Sequence, residues 1–137
     1  MTSGEQQKSA TFADAIEVIE STYELMLAYA AQGRAPEETD PTGLRAALDR
    51  VISALDLLDA IEPQHLHPPA DAVRDATAAM LAVLKSDVAS ARAAFRFVCA
   101  QRRIGSQMID NLNASIHVRA LLTDIFLLDE ALAQIPR

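Results

Sequence analysis

The chain holds a single cysteine, Cys99, four glycines, no tryptophan and few aromatics of any kind in its 137 residues. One cysteine excludes an intrachain disulfide and suits a reducing compartment, so a cytoplasmic protein is expected. Scarce aromatics speak against a sheet-built fold, because strands draw on aromatic and β-branched side chains. Basic residues are the minority: 12 Lys and Arg stand against 19 Asp and Glu, for a net charge of −7. That balance argues against a nucleic-acid partner, whose phosphates are bound by Lys and Arg. It argues equally against an anionic membrane surface. No apolar run approaches the ~20 residues that span a bilayer, and the polar N-terminus MTSGEQQKSATF has no signal core.

What is present suits helices. Half of the residues are hydrophobic, many of them alanine, the best helix former. The length fits one domain over residues 1–137, with residues 1–8 polar and expected to fray. In the first helix Phe12, Ile16, Ile19, Tyr23 and Met26 alternate spacings of four and three, with Glu17, Glu20 and Glu24 opposite. Gly33 suits its C-terminal turn. Asp40 and Pro41 are expected to start the second helix, whose stripe is Leu44, Leu48, Val51, Leu55 and Leu58. The prolines of Glu62–Pro69 end it. A third helix from Ala70 keeps Val73, Thr77, Met80, Leu84, Val88, Ala91, Phe95 and Val98 in phase. It is expected to reach about Ile104, with Arg102 and Arg103 at its end, Gly105 closing it and Ser106 capping the next.

The last third, Ser106 to Ile135, contains neither Pro nor Gly. Val118, Leu121, Ile125, Leu128, Leu132 and Ile135 form one stripe. Met108, Ile109, Leu112 and Ile116 form another, roughly 160° away on an ideal helix. Either the helix breaks near Asn111–Ser115, or it is continuous and its halves meet different partners, one of them another subunit. The expected fold is therefore all-α: a four-helix up-down-up-down bundle with long third and fourth helices. The alternative has five helices, with a break near Ser86–Asp87 or Asn111–Ser115.

Chemistry-bearing residues are sparse. His65 and His67 share a Pro-rich loop without neighbouring ligands, so no metal is expected. Arg74, Lys85, Arg92 and Arg96 edge the third helix and are expected to pair with acidic side chains beside it. Cys99 reads as a space-filling core residue. His117 is the most suggestive single position, with Asp110, Asn113 and Asp124 on nearly the same side of the helix. These four are the candidate ligand-binding residues. A reactive histidine on a helical bundle resembles the histidine phosphotransfer domains in length and expected fold. That family follows its histidine with a basic residue and glycine, whereas here Val118, Arg119, Ala120 and Leu121 follow.

The reading that results is a non-enzymatic interaction protein, an adaptor, regulator or assembly factor. It acts through apolar helix faces, as a homo-oligomer with a dimer favoured, and Met108, Ile109, Leu112 and Ile116 are the candidate interface. No catalytic residue and no cofactor are expected. The alternatives are a small-ligand or metal-binding bundle, or phosphotransfer through His117.

Overall fold

The computed structural model describes residues 3–66 and 71–132, with side chains from Phe12 onward. Five α-helices build it: α1 (Ser3–Ala31), α2 (Leu44–Asp59), α3 (Asp71–Cys99), α4 (Ser106–Ala114) and α5 (Ile116–Leu132), with one 3-10 turn at Pro63–Leu66. The all-helical expectation holds, with five helices in place of four. α1 begins at Ser3, inside the stretch expected to fray. α3 runs unbroken through Ser86–Asp87, because Leu84, Val88, Ala91 and Phe95 stay buried in one phase across it.

The division falls at Ser115, whose ψ of 133° leaves the helical region. The Ser115 hydroxyl then accepts the His117 N–H at 3.2 Å and caps α5. The break turns the two halves relative to each other. Ile109 and Leu112 before it, and Val118, Leu121, Ile125 and Leu128 after it, are all buried in one core. The two stripes that oppose each other on an ideal helix thus face the same interior on a bent one. Ile135 lies outside the described residues.

α1 packs along α2 and α4, and α3 along α2 and α5, so the helices close a ring around the core. Met26, Leu48, Leu55, Leu84, Leu121 and Ile125 are among its fully buried members. Each such side chain contributes about 1.5–3 kcal/mol by leaving water.

Helix ends depart from the expected ones where distant backbone intervenes. Gly33, at φ 64°, does close α1. α2 starts at Leu44 behind Gly43 (φ 76°) rather than at Asp40–Pro41. Asp40 still serves that helix from four residues upstream, its two oxygens accepting the Leu44 and Arg45 N–H groups at 2.8 and 2.9 Å.

α3 stops at Cys99 and not near Ile104. Residues 100–105 are drawn out because Ile104 and Glu37 exchange both backbone hydrogen bonds at 3.0 Å, an isolated antiparallel bridge. Arg102 and Arg103 consequently lie beyond the helix and pair with Glu38. Gly105 does not close a helix either. Its backbone is extended, and a Cβ there would lie 2.8 Å from the Pro36 nitrogen and 3.0 Å from the Ala35 carbonyl carbon. Ser106 makes no cap: its hydroxyl donates to the Tyr29 carbonyl and accepts the Arg34 N–H, both at 2.7 Å. The buried Tyr29 hydroxyl donates to the Ile104 carbonyl at 3.1 Å. Together these contacts tie the α1–α2 loop to the α3–α4 loop.

Candidate functional site

The four candidate ligand-binding residues are not brought together. His117 is exposed at the start of α5, and Asp110 is exposed on α4. Asn113 and Asp124 are each only 7% exposed. No hydrogen bond or ion pair joins the four side chains. Asn113 is buried with neither its amide nitrogen nor its oxygen bonded to protein, and Asp124 Oδ2 is in the same state. Among the described residues no three His, Cys, Asp or Glu stand close enough to hold a metal ion.

Asp124 has a different partner. Asp87 of α3 bears on it electrostatically across the seam between α3 and α5. Burial, then the hydrogen bond and charge of Asp87, push the Asp124 carboxyl up to about 7. Ionised carboxylates only accept hydrogen bonds, so the pair bonds only while one member keeps a proton.

The candidate interface residues divide. Ile109 and Leu112 are buried in the chain's own core, whereas Ile116 is 75% exposed at the head of α5. Met108, half-buried, lines a groove of about 560 Å³ between α3 and α4, with Leu112 at its floor. Ala94, Phe97 and Val98 form the α3 wall, while Arg34, Gln107 and Asn111 supply polar groups. Phe97 stands 68% exposed there, a large apolar surface for water to cover. The groove exists because α4 is short and pulled toward α1 by Ser106, so it packs only lightly on α3.

The remaining positions are structural. Arg92 pairs with Asp56 and Asp59, and Arg96 with Asp56, so this part of the α3 basic edge is paired with α2. Arg74 pairs within its own helix with Asp71. His65 Nδ1 accepts the Glu62 N–H, and His67 lies outside the described residues. Glu17 and Glu24 are solvated and Glu20 is half-buried. Burial pushes the Cys99 thiol up, which disfavours the reactive thiolate.

Comparison with protein families, with curated proteins and with solved structures finds no match to this chain.

Two features of the structure have no clear mark in the sequence. Asp87 is spaced seven from Met80 and Ala94, a line that flanks the core stripe of α3. A carboxylate at the margin of the stripe on each of two helices is the signal that could have paired it with Asp124. The groove had no local signal, because it depends on the path of α4 after a long-range contact.

Proposed function

We propose that this is a non-enzymatic, cytoplasmic interaction protein that docks a second copy of itself through the groove between α3 and α4. The observation that carries this reading is Phe97, exposed beside an apolar groove that it does not fill. In a two-fold contact the same patch meets itself. Each Phe97 ring then enters the partner's groove against Met108 and Leu112. Val83 lies two heptads before Phe97 on the same line of α3, and Ile116 and Leu127 share a line on α5. All three are exposed. The break at Ser115 already accounts for the two stripes of the last third, so the dimer rests on the groove alone. The α1–α2–α3–α5/α4 ring supports an up-down bundle whose fourth leg is bent.

Sedimentation velocity over a range of concentrations tests the reading. The wild type is expected to be a dimer, and Phe97→Glu a monomer of unchanged helicity. A wild type that stays monomeric at every concentration overturns it. The groove's volume also lies within the range of small-molecule sites, and Arg34 at its edge suits an amphipathic ligand with an acidic head. Native mass spectrometry separates the two readings: that ligand adds mass to one chain, whereas docking doubles the chain.

A further inference from the structure

We infer that the outer face of α5 is a second self-docking surface, on which another copy of this chain lays its own α5 antiparallel, with Glu130 of each copy beside Arg119 of the other. The inference does not rest on the groove, which lies between other helices.

The face of α5 turned away from the core is not the polar one expected of a helix on a bundle surface. Val118, Leu121, Ile125 and Leu128 centre its buried side. At about 100° per residue, Ile116, Thr123 and Leu127 lie on the opposite line, with Ala120 beside it. Ile116 is 75% exposed, Leu127 58% and Phe126, at the edge of the same face, 51%.

The charges on α5 say what covers this face. Arg119 stands in the first turn, Asp129 and Glu130 in the last, and all three are exposed. A helix favours the reverse, acids at its N-terminus and bases at its C-terminus. None of the three takes part in an ion pair among the described residues. An antiparallel copy of α5 brings its acidic end to the basic end of the first, and the two-fold axis repeats the match.

The register follows from spacing. With the axis through Thr123, Ala120 of one copy meets Leu127 of the other. Arg119 and Glu130 lie on the same side of the exposed line, so they face each other across an antiparallel seam. Three residues separate their levels, about 4.5 Å along the axis, which an arginine side chain spans. A parallel copy would set Arg119 level with Arg119. One helix face is a narrow surface, so this contact is weaker than a standard interface. It forms above the concentrations that complete the groove dimer and pairs such dimers.

Sedimentation equilibrium of the Phe97→Glu chain, which lacks the groove contact, reads this one alone. At low salt and at concentrations well above those of the dimer test, a monomer–dimer equilibrium is expected. Leu127→Glu, which puts a charge into the seam, should weaken it about tenfold or more. Arg119→Glu should weaken it about tenfold, since two pairs are lost and replaced by repulsion. Arg119→Glu combined with Glu130→Arg should restore it, because the exchanged charges meet again. High salt should weaken it. A Phe97→Glu chain that stays monomeric under these conditions overturns the second copy as occupant. So does a charge-exchanged chain that associates no better than Arg119→Glu alone. Neither result bears on the groove, whose dimer is read in the wild type at lower concentration.

Discussion

Removing the Arg45 guanidinium strands three carbonyls at the end of α3. Its Nη1 donates to Cys99, and its Nη2 to Gln101 and Arg102, at 2.9 to 3.3 Å. Arg45→Ala is expected to cost about 1–2 kcal/mol in urea unfolding, the scale of losing part-buried bonds to a charged donor. Arg45→Lys recovers only part of this, because one ammonium cannot reproduce the planar fork. The Asp124 carboxyl acts in the opposite sense to most acids. Its folded value, about 7, lies above its ordinary 3.8. Between those values the folded chain holds a proton that the unfolded chain has lost, so stability from this group is full below about pH 4 and gone above about pH 7. Asp124→Asn should therefore match the wild type near pH 4 and exceed it by up to about 4 kcal/mol at pH 8, or ~4 °C in midpoint for each kcal/mol. Thermal melts across that range check it.

At the scale of elements, Gly105 separates sterics from capping. The backbone of Arg34, Ala35 and Pro36 crosses within 2.8 to 3.0 Å of where its Cβ would sit, so Gly105→Ala must push two loops apart. About 1–3 kcal/mol of destabilisation is expected, as for other overpacked sites, read from denaturant midpoints. Periodicity in the sequence located the helical stretches and most of their buried phase, because a helix's apolar face is a local property, but it expected four helices where the structure has five and placed the exposed Ile116 and Val73 in the buried stripes. Leu44 to Leu58 and Leu81 to Val98 needed nothing else. The ends of α2 and α3 did not follow. Asp40 looks like an immediate cap but works from further upstream, and residues 100–105 look helical but are claimed by Glu37, far away in sequence. The break at Ser115 was legible as a conflict between two stripes, since no straight helix can bury both. Its consequence, one shared core rather than two partners, required the fold.

For the whole molecule, charge and shape act against each other. A net charge of −7 repels a second copy over the Debye length, about 10 Å at 0.1 M salt. Raising the salt should therefore tighten the proposed dimer through screening, whereas a contact built on ion pairs would weaken. Sedimentation equilibrium at two ionic strengths gives the direction. The candidate site was legible only in pieces. Asp124 stood out as polar beside an apolar stripe, but its partner Asp87 is on another helix and His117 faces solvent. Phe97, on the exposed side of a clear amphipathic helix, carried no mark in sequence that a groove would open next to it.

The bridge between Glu37 and Ile104 also bears on the order of folding. Tyr29 and Ser106, bonded beside it, are 77 residues apart. Closing so long a loop costs chain entropy before any contact repays it. The hairpin of α1 and α2 can form through nearby contacts, so the stitching of the two loops is expected to come after the transition state. Substitutions in the stitch, Gly105→Ala among them, should then leave the refolding arm of a chevron nearly unmoved and raise the unfolding arm. The two loops act as the clasp that sets how long the folded chain lasts once made.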